Sequence, residues 1–363
     1  MESKKDSGKK LKPAGSYLDS LSDFADLLGT IRQAEKAAGE LLSETSTPQV
    51  PSQTGGGSEA GGSVPDRRRG ESGSPEAEAK APDGEPGGVK TVEELLAQLD
   101  SLIGLDNIKR SVKSLINYVK IRGLRKENEL PNPPLSLHMV FMGNPGTGKT
   151  TVARILSELY RAIGALSKGQ LVEVDRGGLV AGFVGQTAIK TAEVINSSLG
   201  GILFIDEAYS LAPEGGGGND FGREAIETLL KMMEDNRDNL IVIAAGYSGP
   251  MERFIASNPG LESRFNRWFM FEDYNGGELY EIFSSMCSKS EYVLTDDGKE
   301  FASRYFSELY ETRDENFGNA RYVRNFFENV VAVHSDRVSA MENHKREDLI
   351  TVIREDLEAA SLV

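Results

Sequence analysis

The 363-residue chain contains a single cysteine, Cys287, so it cannot form an internal disulfide. It also lacks an apolar run of about 18 residues, the length that a membrane span requires. Its lysine-rich start is not followed by the apolar core of a signal peptide. A lone cysteine fits a reducing compartment. The sequence therefore predicts a cytoplasmic protein without a membrane span.

Basic residues are in the minority. The chain has 41 Lys and Arg against 56 Asp and Glu, a net charge of −15. Such an acidic balance opposes long-range attraction to nucleic acid and to anionic membranes. Nucleic acid is therefore disfavoured as a partner, and the hydrophobic content of 39% still allows a sizeable core.

The first 90 residues differ in composition from the rest. Residues 1–15 are polar and are predicted to form a disordered tail, and residues 45–90 are rich in Gly, Pro, Ser and Glu, as in a disordered linker. Between them, residues 16–44 carry apolar side chains three and four positions apart, which predicts an amphipathic helix. That helix either packs on its own protein or docks on a partner.

From Thr91 onwards, apolar runs alternate with helical patterns. We expect strands at Leu135–Gly143, Leu171–Asp175, Gly201–Asp206, Leu240–Gly246 and Trp268–Phe271, with helices near 149–163, 187–199 and 221–235. Strands separated by helices imply a parallel sheet covered on both faces. Residues 91–275 are thus predicted to form an α/β domain. Helical patterns alone follow, so 276–363 should form a smaller all-helical domain.

One loop between a strand and a helix has the pattern of a phosphate-binding loop. Its sequence is Gly143-Asn144-Pro145-Gly146-Thr147-Gly148-Lys149-Thr150. Glycines let successive backbone N–H groups turn towards phosphate oxygens, and the helix N-terminus adds its positive end. Lys149 is placed to reach the β- and γ-phosphates and Thr150 to ligate Mg²⁺. The loop predicts ATP and Mg²⁺ as cofactors.

A pair of carboxylates follows the apolar run at 202–205. Asp206 and Glu207 would lie at the carboxyl end of a buried strand, next to the phosphate loop. Asp206 can hold Mg²⁺ through water, and Glu207 can polarise a water for attack on the γ-phosphate. The alternative is an ordinary helix start. Together with the loop, the pair predicts ATP hydrolysis.

These motifs resemble the AAA+ ATPases and, more closely, the CbxX/CfqX family. The resemblance covers residues 92 to about 357 and is carried by the segments Gly143–Thr151, Phe183–Gly185, Gly200–Tyr209, Ala245–Tyr247 and Ser257–Arg264. It implies an AAA+ parallel αβα sandwich followed by a C-terminal helical lid. It also implies nucleotide contact by Thr151 and closure of Gly104 and Leu105 over the adenine.

The resemblance assigns further roles. It matches Arg264 to the arginine finger that reaches a neighbouring subunit's γ-phosphate, with a surface salt bridge as the alternative. It matches Arg321 to the sensor arginine of the lid, a role that Arg324 could share. Tyr247 stands at the first sensor position, although a core or turn tyrosine is equally compatible with the sequence.

The resemblance also implies a pore loop at Phe183, Val184 and Gly185. An exposed aromatic can grip a peptide of any sequence, because apolar contact tolerates different side chains. The alternative is an aromatic packed on the sheet edge, and Gly215–Gly218 would form a second pore loop. The implied function is the remodelling of a protein client by a homo-oligomeric ring, which is expected to be a hexamer. A nucleotide-gated scaffold, with the partner held by the helix at 16–44, is the alternative.

Overall fold

The computed structural model describes residues 90–133, 136–183, 185–212 and 221–362. All of them belong to one compact unit, Ala81–Val363. The predicted tail, the amphipathic helix and the linker up to residue 89 lie outside the described residues, as does the proposed second pore loop at Gly215–Gly218. No helix within the described ranges is long and apolar enough to cross a membrane.

Five parallel strands form the central sheet. Their order is β2-β3-β4-β1-β5, with β1 at Met139–Met142, β2 at Leu171–Val174, β3 at Ile202–Ile205, β4 at Ile241–Gly246 and β5 at Arg267–Met270. Each predicted strand is found, with β1 starting four residues later than expected. The order places the carboxyl ends of β1 and β3 on either side of that of β4, so the loops that follow these three strands share one edge of the sheet.

Alternate residues of the central strands enter two different cores. Phe141, Phe204 and Ile243 lie in the core on one face, whereas Val140 and Leu203 lie in the core on the other. Strand side chains point to opposite faces in turn. A strand buried on both faces therefore has no polar alternation, which is why 202–205 is a continuous apolar run.

Helices cover both faces of this sheet. Thr91 begins the first of them with a capping box, because its hydroxyl accepts from Glu94 N at 3.2 Å and its own N–H donates to the Glu94 carboxylate at 2.8 Å. In chain order the helices are α1 Val92–Asp100, α2 Asp106–Glu127, α3 Lys149–Ala162, α4 Arg176–Leu179, α5 Gln186–Ser198, α6 Gly222–Asp235, α7 Ser248–Ala256 and α8 Pro259–Arg264.

The lid follows β5 and is mainly helical, as expected. Its helices are α9 Gly276–Lys289, α10 Asp296–Glu311, α11 Asn319–Ser339, α12 Arg346–Ile350 and α13 Arg354–Ala360. It also contains a short parallel pair, β6 (Val293–Leu294) with β7 (Thr351–Val352), that the sequence analysis did not predict. Three successive β-branched residues at 351–353 favour extended backbone there, so this part of the domain predicted to be all-helical departs from helix.

Candidate functional site

The phosphate-binding loop connects β1 to α3 and comes very close to its neighbours. Gly143 has φ +143°, and a Cβ there would lie 2.2 Å from the carbonyl oxygen of Phe271. Gly146 has φ +73°, and a Cβ there would lie 2.3 Å from the carbonyl oxygen of Gly318 in the lid. Both positions therefore require glycine. The loop is held between β5 and the start of α11.

Lys149 begins α3 and lies beneath this loop. Its ammonium donates to the carbonyl oxygens of Gly143 and Asn144, both at 2.8 Å. Burial lowers its pKa from 10.5 to about 8, with nearby Asp206 opposing and Arg321 adding to the decrease. A buried cation at a helix N-terminus suits an anionic ligand such as a polyphosphate.

We expect the affinity for ATP to decrease as the pH rises above about 8, the pKa of Lys149. Only the protonated amine attracts phosphate, and bound phosphate would raise its pKa, so binding above that pH requires proton uptake. The dissociation constant should stay flat at lower pH and then rise by up to about tenfold per pH unit. Calorimetric titration with ATP between about pH 7 and about pH 10 measures this slope.

The matched control is Lys149→Arg, which keeps its charge over the whole range and should show no such slope even if it binds more weakly. A wild-type dissociation constant that stays constant up to about pH 9.5 would contradict the assignment of the slope to this lysine.

Asp206 and Glu207 follow β3 directly. Both side chains are exposed, and the N–H of Glu207 donates to the Asp206 carboxylate at 3.1 Å. Glu207 has a left-handed backbone with φ 46°, at the point where the chain leaves β3 and enters a short turn. Carboxylate and hydroxyl oxygens are ligands that Mg²⁺ accepts, and Asp206 shares a cavity with Thr150. These two residues are suited to hold the ion.

A cavity of about 480 Å³ joins the loop, the carboxylates and the lid. Predicted site residues in its lining are Leu105, Gly143, Pro145, Gly146, Gly148, Lys149, Thr150, Thr151, Asp206, Glu207, Tyr247 and Arg321. Arg324 lines it as well, beside Arg321 on α11. Ile103, Ile282 and Met286 add apolar surface suited to a nucleobase.

Three other predicted residues are neighbours of lining residues in the chain but do not line the cavity themselves. Thr147 is fully buried and its hydroxyl donates to the carbonyl oxygen of Asn144 at 2.8 Å. The Asn144 amide points away from the cavity to Asp273, at 3.0 Å. Gly104, with φ +61°, packs against the side chain of Glu278, where a Cβ would be only 2.4 Å away. None of these three residues is therefore part of the cavity wall.

Three predicted residues lie apart from the cavity. Arg264, at the end of α8, is paired with Glu234 at 3.4 Å. Phe183 lies before α5 and is 72% exposed. Gly185 follows it with φ 79°, and Val184 is outside the described residues.

Tyr209 is a site residue that the sequence analysis missed. Its hydroxyl forms a hydrogen bond with Glu207, and burial together with the Glu207 charge raises the pKa of Tyr209 to about 12. Its ring lies 6.3 Å from that of Tyr247, centroid to centroid. The sequence offered one indication of this, because Tyr209 comes only two residues after Glu207. Asp273, Tyr274 and Asn319, which connect the loop to the lid, had no signal of this kind.

Comparison with known proteins agrees with this arrangement. Residues 139–273 match the ATPase family associated with various cellular activities (AAA), and residues 275–362 match the AAA lid domain. A mutant of RuvB from Thermotoga maritima has a similar structure, with a TM-score of 0.50, 21% identity, and coverage of 73% of this chain and 71% of that one. At that identity the likeness concerns the fold alone.

Two curated relatives are more similar in sequence. Stage V sporulation protein K of Bacillus subtilis is 41% identical over 73% of this chain and 82% of its own length. The chloroplastic ribulose bisphosphate carboxylase/oxygenase activase of Cyanidioschyzon merolae is 39% identical over 73% of this chain and 91% of its own. The chain therefore belongs to the AAA family of ATPases, in its CbxX/CfqX branch, and it hydrolyses ATP with Mg²⁺.

Proposed function

We propose that this ATPase assembles into a homo-oligomeric ring, hexameric in form, and remodels a protein client through an aromatic pore loop. The exposed Phe183 carries the proposal. Its side chain is 72% exposed, and the glycines at 182 and 185 have open space around them. At this exposure the aromatic ring is free to make apolar contact with a peptide of any sequence. The exposure favours the pore-loop interpretation over packing on the sheet edge.

The proposed chemistry uses the groups that share the cavity. Lys149 binds the β- and γ-phosphates, and Glu207 takes a proton from the attacking water. Thr150 and Asp206 hold Mg²⁺, which offsets phosphate charge when it is bound. Arg321, on the lid side of the same cavity, contacts the γ-phosphate and senses the nucleotide. The shared lining supports these roles, because all five groups border the same cavity.

Arg264 is proposed to act on the ATP of a neighbouring subunit. It is outside the cavity lining, at the end of α8, so it is not positioned to complete its own chain's site. Its Nε is buried without a hydrogen-bond partner, and its pairing with Glu234 is long at 3.4 Å. Its Nη1 also donates to the carbonyl oxygen of Gly260 at 3.3 Å, so the guanidinium would exchange long contacts for a phosphate.

The client is proposed to be a protein. The relative from Cyanidioschyzon merolae is named for activation of ribulose bisphosphate carboxylase/oxygenase, whereas the one from Bacillus subtilis is named for sporulation. Both names are compatible with action on another protein, but they do not point to the same protein. The net charge of −15 makes a nucleic-acid client the less favourable choice.

We expect Phe183→Ala to retain basal ATP hydrolysis within about twofold and to lose client-stimulated hydrolysis and remodelling. The side chain lies apart from the cavity, so its loss should leave the nucleotide site intact. The client is first captured by Glu207→Gln in the presence of ATP. ATPase rates of wild type and Phe183→Ala, with and without that client, give the result.

Two control variants sharpen this test. Phe183→Tyr keeps an aromatic and should keep remodelling. Leu349→Ala removes another exposed apolar side chain, 48% exposed in the lid, and should have no effect. Normal remodelling by Phe183→Ala, together with its loss on deletion of residues 1–90, would favour the nucleotide-gated scaffold instead.

A further inference from the structure

Asn319 is the first residue of α11, two positions before Arg321, and it is fully buried. Its amide nitrogen donates to the Asp273 carboxylate at 2.7 Å and to the carbonyl oxygen of Phe317 at 3.0 Å. Its amide oxygen accepts from the N–H of Tyr274 at 2.9 Å. A buried amide with this many partners is locked in place, and removal of any partner would leave a costly unpaired group.

Asp273 joins the same network from the end of the sheet. It also accepts from the Asn144 amide of the phosphate loop at 3.0 Å, and its other oxygen lies 3.5 Å from Nε of Arg313 in the lid. The Asp273 carboxylate is thus contacted by Asn144 of the loop, by Arg313 just after α10 and by Asn319 at the start of α11. We call Asp273 and Asn319 together the lid latch.

The latch holds the first turn of α11 directly on the loop. Gly146 accepts from the N–H of Ala320 at 3.3 Å. A Cβ on Gly146 would lie 2.7 Å from the backbone nitrogen of Arg321, so no side chain fits between the two segments. The position of the Arg321 backbone is therefore fixed against the loop that carries the phosphates.

Few residue types can occupy position 319. Its φ of 48° is left-handed, a conformation that asparagine tolerates better than most residues. The contacts also require an acceptor towards Tyr274 N and a donor towards Asp273 in the same side chain. Aspartate would place a second carboxylate against Asp273, and glycine would keep the backbone but lose every side-chain contact.

We propose that Asn319 is a positioning residue, which with Asp273 fixes the start of α11 on the phosphate loop so that Arg321 reaches the γ-phosphate. The inference rests on the proposed sensor role of Arg321. The latch adds no contact to the nucleotide itself, so the proposal assigns its contribution to turnover to the placement of Arg321. A residue that acts through another one has no further effect once that other residue is removed.

The test is a double-mutant cycle in the full-length protein with ATP and Mg²⁺. Asn319→Gly, Arg321→Ala and the double variant are compared by kcat, by the dissociation constants of ATP and ADP, and by thermal unfolding. We expect each single variant to lower kcat by about tenfold or more and to reduce the preference for ATP over ADP. The double variant should be within about twofold of Arg321→Ala alone.

Two further variants separate positioning from folding. Thr295→Ala removes the cap of α10, where the hydroxyl accepts from Gly298 N, so it weakens the lid elsewhere and its effect should add to that of Arg321→Ala. Asp273→Asn keeps the side-chain shape but removes the charge that Asn319 and Arg313 contact, and it replaces Asn319→Gly in the cycle if that variant does not fold.

Equal losses from Asn319→Gly in the wild-type and Arg321→Ala backgrounds would overturn the latch, because the asparagine would then act on the fold alone. Unchanged turnover in Asn319→Gly would overturn it as well. If Arg321→Ala alone leaves kcat and the ATP preference unchanged, the sensor role itself is wrong, and that failure is visible before position 319 is altered.

Discussion

A Glu207→Gln variant is expected to bind ATP within about threefold of wild type and to lose about a thousandfold in kcat. The amide has the shape of the carboxylate but cannot accept a proton from the attacking water. Because the Glu207 side chain is exposed at the cavity wall, the change should not disturb packing. Fluorescent-nucleotide binding and phosphate release, measured on the same preparation, separate the two effects.

Lys149→Ala should show the opposite pattern, because the ammonium contributes to binding before any chemistry takes place. We expect about a hundredfold weaker ATP binding or more.

Glu173→Gln is the matched control for Glu207→Gln, since Glu173 lies on β2 and pairs with Arg154 outside the cavity. It should hydrolyse ATP at the wild-type rate. Hydrolysis by Glu207→Gln at that same rate would remove Glu207 from the role of base.

The sequence predicted the sheet and the loop because both are encoded by neighbouring residues. Continuous apolar runs identify strands buried on both faces, and the loop at 143–150 carries its own pattern of glycines and lysine. The positions of the residues that follow the strands could be predicted from one rule, that parallel strands place their carboxyl ends at one edge of the sheet. This is why Asp206 and Lys149 were placed together correctly without coordinates.

The lid latch and the β6–β7 pair could not be predicted in the same way. Asp273 and Asn319 are 46 positions apart and meet only once the lid has folded onto the sheet. The left-handed backbone of Asn319 has no local sequence signal, because asparagine is common in many other conformations. Likewise the side-chain amide of Asn144, in the predicted phosphate-binding loop, donates to Asp273, a partner that no local pattern reveals.

Arg264→Ala is expected to lower kcat by about a thousandfold or more while ATP affinity stays within about threefold. The guanidinium stays charged and spreads its donors over phosphoryl charge that develops in the transition state, so its loss affects turnover rather than binding. Steady-state ATPase rates and nucleotide titration, both at a protein concentration that keeps the assembly intact, measure the two quantities.

Two controls address the alternative that Arg264 is only a surface ion pair. Glu234→Gln removes the charge from its contact at 3.4 Å, and partly exposed pairs of this kind contribute about 0–1 kcal/mol. It should therefore leave turnover unchanged. Arg267→Ala removes the nearest other arginine, whose Nε donates to the carbonyl oxygen of Ser136, and should also be mild. A loss in Glu234→Gln as large as that in Arg264→Ala would favour the ion pair.

Mixing the inactive Arg264→Ala and Glu207→Gln chains distinguishes action across an interface from action within one chain. An interface works when a chain with an intact Glu207 faces a neighbour with an intact Arg264. In an equal random mixture this occurs at about a quarter of the interfaces of a closed ring. Up to about that fraction of wild-type activity should return if the interfaces act independently. If each chain completes its own site, the mixture stays inactive. Full-rate hydrolysis by monomeric wild-type protein would likewise remove the trans-acting role of Arg264.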